Sequence, residues 1–192
     1  MSEIGIFLDR DGTINEELEY ISDPGDVKLI PGSAEAIREA NQLGLKVFVI
    51  SNQSGIARGL INEEELARVN DKLVELLKET GARLDAIYFC PHHPDYGEHP
   101  YRTSCDCRKP GSGMLKQAES EFDIDLKRSF VIGDRIVDIQ TALPVGAKSI
   151  LVLTGYGQNE YEQIKSQHIN VNYIAKDLHD AIQFVKKSLN HI

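Results

Sequence analysis

Two aspartates one residue apart, Asp9 and Asp11, stand directly after a short apolar run in Ile4-Gly-Ile-Phe-Leu-Asp9-Arg10-Asp11-Gly12-Thr13. Neighbouring carboxylates repel unless a cation or a shared proton offsets them. A carboxylate oxygen can also attack phosphorus, and hard oxygens are the ligands magnesium selects. The chemistry expected of this pair is magnesium-dependent phosphoryl transfer. An EF-hand calcium loop starting at Asp9 is excluded, because its sixth and twelfth positions would be Ile14 and Tyr20 where glycine and an acid are needed. Further along, Ser51-Asn52, Lys109 and Gly133-Asp134 with Asp138 add the hydroxyl, the cation and the third carboxylate that such a reaction uses. Taken singly, Ser51-Asn52 also reads as an ordinary polar turn and Arg108-Lys109 as a solvated basic pair. Gly133-Asp134 is sharper, since an acid at the edge of a buried strand is costly without a partner.

These groups lie far apart in the chain, so the fold must gather them. Apolar, β-branched runs at 4–8, 46–50, 84–89, 129–132 and 149–153 read as buried parallel strands, with a further strand at 171–174. Between them, helical periodicity runs over 34–43, from Asn62 and its three following glutamates to Gly81, and over 114–122, 137–143 and 178–189. Pro31-Gly32-Ser33 offers a cap for the first of these helices, and residues 155–168 read as a helix on the sheet with no further role. The segment 16–31 is loop-like, with a turn at Asp23-Pro24-Gly25. Strands alternating with helices imply right-handed crossovers and an α/β fold. The expected architecture is a three-layer, doubly wound parallel sheet in one domain over 1–192, with the candidate residues at one strand edge.

All three cysteines fall in the Pro- and Gly-rich stretch 90–113. An odd, clustered count does not suit a disulfide framework. Cys90-x-His92, then twelve intervening residues, then Cys105-x-Cys107 is a Cys₃His set suited to tetrahedral zinc; His93 and His99 compete for the histidine position, and spacing favours His92. A closed four-ligand site is structural. Because Cys107-Arg108-Lys109 is contiguous, a zinc there would also position Lys109.

The chain has 192 residues, 41% hydrophobic and 27% charged, which suits a globular protein with a full core. A net charge of -9 argues against nucleic-acid binding driven by bulk electrostatics. No apolar run approaches the roughly 20 residues that span a bilayer, and no basic leader precedes the first strand, so a cytoplasmic location is expected.

Asp9-Arg10-Asp11-Gly12-Thr13, Ser51, Lys109 and Gly133-Asp134, in that order, resemble the four motifs of the haloacid dehalogenase superfamily. The resemblance implies that Asp9 is the nucleophile and Asp11 the general acid and then base. It places magnesium on Asp9, the Asp11 backbone carbonyl and Asp134, with Ser51 and Lys109 binding the transferring phosphoryl group and Asp138 supporting the metal. Within that superfamily, CPHHP…CDCRKP together with SNQSGIARG is similar to the capless D-glycero-D-manno-heptose 1,7-bisphosphate 7-phosphatases. That similarity implies a small phosphorylated sugar as substrate; from charge and hydropathy no nucleic-acid or membrane partner is expected, and a monomer is expected. It implies substrate contacts at Asp9, Arg10, Asp11, Glu17, Leu18, Glu19, Tyr20, Ser51, Asn52, Gln53, Ser54, Arg108, Lys109 and Arg135. The acids of the 17–20 segment suit sugar hydroxyls and oppose phosphates, which leaves Arg108 and Arg135 to meet the second phosphate. Histidinol-phosphate phosphatases share much of the pattern, and phosphatases of nucleic-acid 3′ ends share its start. A non-enzymatic zinc module is the remaining reading, and the intact Asp9/Asp11 pair speaks against it.

Overall fold

The computed structural model describes residues 2–189; Met1 and 190–192, which the single-domain reading of 1–192 includes, lie outside the described residues. Six strands form one parallel sheet: β1 (Gly5–Leu8), β2 (Lys46–Asn52), β3 (Ala86–Cys90), β4 (Phe130–Gly133), β5 (Lys148–Val152) and β6 (Tyr173–Ala175). Their order is β3-β2-β1-β4-β5-β6. The chain winds outward from β1 to β3, then returns to pair β4 on the other side of β1, so the strand order reverses between β1 and β4. At such a reversal the connections leave in opposite directions and open a crevice at the carboxyl edge.

Side-chain alternation along the strands divides the core into two faces. Ile6, Leu8, Val47 and Val49 pack with α1 (Ser33–Gln42), α2 (Glu63–Glu79) and α6 (Leu178–Leu189). Phe7, Phe48, Ile50 and Val131 point the other way, to α3 (Gly113–Phe122), while α4 (Ile136–Ala142) and α5 (Gly157–Gln167) meet Leu151 on that side. The result is the expected three-layer α/β sandwich. Phe48 anchors the second face, with Phe7 stacked at 5.1 Å and Phe122 edge-on at 5.1 Å.

Helix α2 begins as its sequence dictates. Asn62 Oδ1 accepts from the Glu65 N–H at 2.9 Å and Glu65 Oε2 from the Asn62 N–H at 2.8 Å, while Glu63, Glu64 and Glu65 face the positive end of the dipole. Two expectations need correction. Strand β2 does not stop at Ile50: Ser51 and Asn52 continue it by pairing with Phe89 and Cys90, so Ser51 is held by a ladder and not by a turn. The Gly32-Ser33 cap is also absent, because Gly32 takes a left-handed φ of 84° and Ser33 turns its hydroxyl inward as the first residue of α1.

Candidate active site

The polypeptide leaves β1 at Leu8 and β4 at Gly133, adjacent strands at the reversal, and this puts Asp9 beside Asp134. The Asp9 N–H extends the ladder to the Ile132 carbonyl at 2.9 Å. Carboxylate oxygens of Asp9, Asp134 and Asp138 lie within 4.8 Å of one another, all buried. Their close approach depends on glycine: a Cβ at Gly12 would overlap the Asp134 carboxylate, and one at Gly133 would overlap Asp138. Asp138 is placed by α4, where its carboxylate accepts from the Arg135 N–H at 3.0 Å at the start of the helix.

Lys109 reaches into this group from the 90–113 loop. The residue is 3% exposed, and its ammonium donates to Asp9 Oδ1 at 2.8 Å and the Ile50 carbonyl at 2.9 Å, with Asp138 Oδ1 at 2.6 Å. Burial alone would lower the Lys109 pKa, but the Asp138 and Asp9 carboxylates outweigh it and hold the ammonium above its ordinary range. Burial pushes Asp9 up to about 7 against the pull of Lys109. Burial, with the charges of Asp9 and Asp138, pushes Asp134 up to about 8. Three acids against one buried ammonium leave excess negative charge, which a cation would remove. Asp134 fits that requirement: its Oδ2 accepts from the Tyr156 N–H at 2.8 Å, while its Oδ1 is buried without a protein donor. The donor set is all hard oxygen, which suits magnesium.

The Asp11 carboxylate is turned away from this cluster. It accepts from Arg10 Nη2 at 2.9 Å, Asn15 Nδ2 at 2.9 Å and Gln53 Nε2 at 3.1 Å. Any contribution of Asp11 to a metal there therefore comes from its main chain. Gln53 Nε2 also donates to Ser51 Oγ at 2.7 Å and so links the two. Arg10, which was expected to contact substrate, lines the cavity above these groups, with its guanidinium against Asp11 and Asn70 and the residue 2% exposed. Asn52 grips the main chain of Lys109 twice, accepting from its N–H at 2.9 Å and donating to its carbonyl at 3.1 Å.

Above these groups is a cavity of about 370 Å³, whose lining contains every residue expected to contact substrate, from Asp9 to Arg135, and adds Val137, Asp138 and Tyr156. Glu17 is half-buried and Leu18, Glu19 and Tyr20 are exposed along its rim. Burial and the Asp11 charge raise the Glu17 pKa, against Arg135 and Arg10. The Arg135 guanidinium sits 4.1 Å from the Tyr156 ring. Tyr156 was missed in the sequence, although the Thr154-Gly155 turn that precedes it follows β5 at the same edge. Thr154 Oγ1 donates to the Gly12 carbonyl at 2.6 Å, which ties that strand end to the Asp9–Asp11 turn.

Cys90, His92, Cys105 and Cys107 converge in the loop. Cys90 Sγ lies 3.5 Å from Cys105 Sγ and 3.7 Å from His92 Nδ1, and Cys107 Sγ lies 3.1 Å and 3.4 Å from the same two atoms. Tetrahedral zinc with about 2.3 Å bonds to sulfur separates two sulfurs by about 3.8 Å, so this constellation is compatible with zinc. His93 is elsewhere, accepting from the Asp95 N–H at 3.1 Å, with its ring tilted against Tyr96 at 4.6 Å. Arg108 Nη1 donates to the His92 carbonyl at 3.1 Å, so the loop carries Arg108 and Lys109 as one piece.

A HAD-hydrolase-like family model matches residues 106–181. The chain is 43% identical over 184 residues to D-glycero-beta-D-manno-heptose-1,7-bisphosphate 7-phosphatase of Photorhabdus laumondii, covering 95% of this chain and 96% of that protein. Over 183 residues it is 39% identical to D-glycero-D-manno-heptose-1,7-bisphosphate 7-phosphatase of Chlorobaculum tepidum, covering 92% and 91%. Among solved structures, D,D-heptose 1,7-bisphosphate phosphatase from B. bronchiseptica, complexed with magnesium and phosphate, superposes with a TM-score of 0.84 at 32% identity, over 96% of this chain and 99% of that one.

Proposed function

The chain belongs to the haloacid dehalogenase-like hydrolases, in the family of heptose bisphosphate phosphatases, and from that membership we propose that it removes the C7 phosphate of D-glycero-D-manno-heptose 1,7-bisphosphate. The observation that carries this reading is the charge layout of one cavity: Asp9 and Lys109 are buried at its floor, while Arg108 and Arg135 stand nearer solvent. A bisphosphate needs two anion sites of this kind, one for the reacting group and one for the group left behind.

Asp9 attacks phosphorus through a carboxylate oxygen, the bond from phosphorus to the C7 oxygen breaks, and Asp11 protonates that leaving oxygen. Asp11, now ionised, then takes a proton from water, which attacks the aspartyl-phosphate and releases inorganic phosphate with Asp9 restored. Ser51 and Lys109 bind the phosphoryl oxygens, and Lys109 also holds Asp9 in place through its 2.8 Å ion pair. Asp9, the Asp11 backbone carbonyl and Asp134 would hold magnesium, with Asp138 in support. Bound there, the ion neutralises the carboxylates and the charge on the phosphoryl oxygens. Cys90, His92, Cys105 and Cys107 would hold a structural zinc, which would order the loop carrying Lys109. The protein acts as a cytoplasmic monomer of one catalytic domain, in precursor synthesis for lipopolysaccharide core or related glycans. Among the described residues no helix is long and apolar enough to cross a membrane.

The test is a kinetic panel with magnesium: both anomers of the heptose bisphosphate, histidinol phosphate and a 3′-phosphorylated oligonucleotide. The expected result is a kcat/KM for one heptose anomer at least about 10²-fold above either other substrate class, well beyond the tenfold that 1.4 kcal/mol of transition-state binding supplies. A preference for histidinol phosphate overturns the substrate, and a preference for the oligonucleotide overturns the class.

A further inference from the structure

Asp11 must present a proton to a leaving oxygen, so its carboxylate has to be held at a fixed place, and an error of about 1 Å is enough to cost rate. Its principal holder is Arg10, which donates from Nε to both carboxylate oxygens at 3.1 Å and from Nη2 to Oδ2 at 2.9 Å. Arg10 is the very next residue back along the chain, and connectivity alone does not fix its long side chain. What fixes it is Asn70, whose Oδ1 accepts from Arg10 Nη1 at 2.9 Å across 60 positions of sequence. Arg10 is almost fully enclosed, so water is poorly placed to replace that acceptor. Asn70 itself sits on a firm support. Its neighbours Val69 and Leu73 belong to the buried stripe of α2, packed in the core against the β1 face.

We propose that Asn70, which lies outside the cavity lining, is a positioning residue for proton transfer, acting through Arg10 to fix the Asp11 carboxylate. The strut runs from the helix layer to the reacting edge, and it assigns the Arg10 guanidinium to Asp11 and not to a phosphate. This rests on the reading of Asp11 as acid and base.

Leaving groups separate positioning from a general structural role. Departure of the C7 alkoxide needs a proton, whereas departure of p-nitrophenolate does not. The quantity kcat/KM covers the steps up to that departure, and kcat also contains the hydrolysis of the aspartyl-phosphate, which uses Asp11 with both substrates. Asn70→Ala and Asn70→Leu, assayed with magnesium, should lower kcat/KM for the heptose bisphosphate by about tenfold and for p-nitrophenyl phosphate by less than about twofold, a part of the 10²-fold or more that a general acid contributes. kcat should fall for both substrates. Asp11→Asn is the control, with the same pattern and larger size. If Asp11→Asn behaves this way while the Asn70 variants lower both kcat/KM values equally or neither, the strut is overturned and the Asp11 reading stands. If Asp11→Asn itself lowers both equally, the acid role fails and the proposal fails with it. Melting curves of both Asn70 variants within a few degrees of the native protein are expected, because α2 keeps its capping box and its buried stripe.

Discussion

Asp9 occupies a site that is hostile to a carboxylate until its partners are in place. Burial drives it up to about 7, and only Lys109 works consistently the other way, through charge and a hydrogen bond. Its neutral isostere is therefore accommodated sterically but is chemically inert: Asp9→Asn should retain the native fold by circular dichroism and lose at least about 10³-fold in kcat, as expected when a covalent nucleophile is removed. Residual turnover near the native level would contradict the assignment. The same burial makes the protein pH-sensitive when metal is removed. Asp9 and Asp134 titrate near 7 and 8 when folded, above the unfolded value of 3.8. Between those limits the folded chain holds protons that the unfolded chain has released, so stability falls as pH rises through that window. Metal-free protein should therefore melt lower at pH 8 than at pH 6. Magnesium, which would bind the ionised acids, should raise the melting temperature more at pH 8 than at pH 6, and Asp134→Asn should reduce both effects, leaving the part that Asp9 contributes. An equal magnesium response at the two pH values would contradict this origin.

The element that most shapes the site is the 90–113 loop, which brings Lys109 into the buried carboxylate cluster and is fastened on two sides of that residue. Asn52 holds its main chain from β2, and the Cys₃His constellation holds Cys107 two residues earlier. Purified protein should carry one zinc per chain by elemental analysis. Chelation or Cys107→Ser should lower the melting temperature and reduce kcat by roughly tenfold or more, the size seen when supports of a metal or catalytic group are lost. Full activity in zinc-free protein would remove this link. The convergence of Cys90, His92, Cys105 and Cys107 was legible because metal chemistry restricts candidate ligands to a few residue types at short spacings. The end of β2 was less so: Ser51-Asn52 has the composition of a turn, and only its pairing with Phe89-Cys90, distant in sequence, keeps it extended. The start of α1 was misread for a similar reason, since a Gly at the cap position with positive φ leaves no side-chain signature.

Taken together, the strand order explains why so much of the site could be read from the chain. Parallel strands put all their carboxyl ends on one edge, so residues just after the apolar runs at 4–8 and 129–132 had to meet, and Asp9 and Asp134 do. Groups that reach the site from elsewhere carried no such signal. Tyr156 lies four residues past the end of β5, and Asn70 is one polar residue in the middle of a helix whose pattern speaks only of burial. The net charge of -9 works against polyanionic partners, while the arginines lining the cavity supply local positive charge for the proposed bisphosphate. The decisive measurement is phosphorus NMR of D-glycero-D-manno-heptose 1,7-bisphosphate incubated with the magnesium-loaded protein. The C7 phosphate resonance should disappear as inorganic phosphate grows in, with the C1 phosphate retained. Release of the C1 phosphate first, or no release from this substrate, would contradict the account.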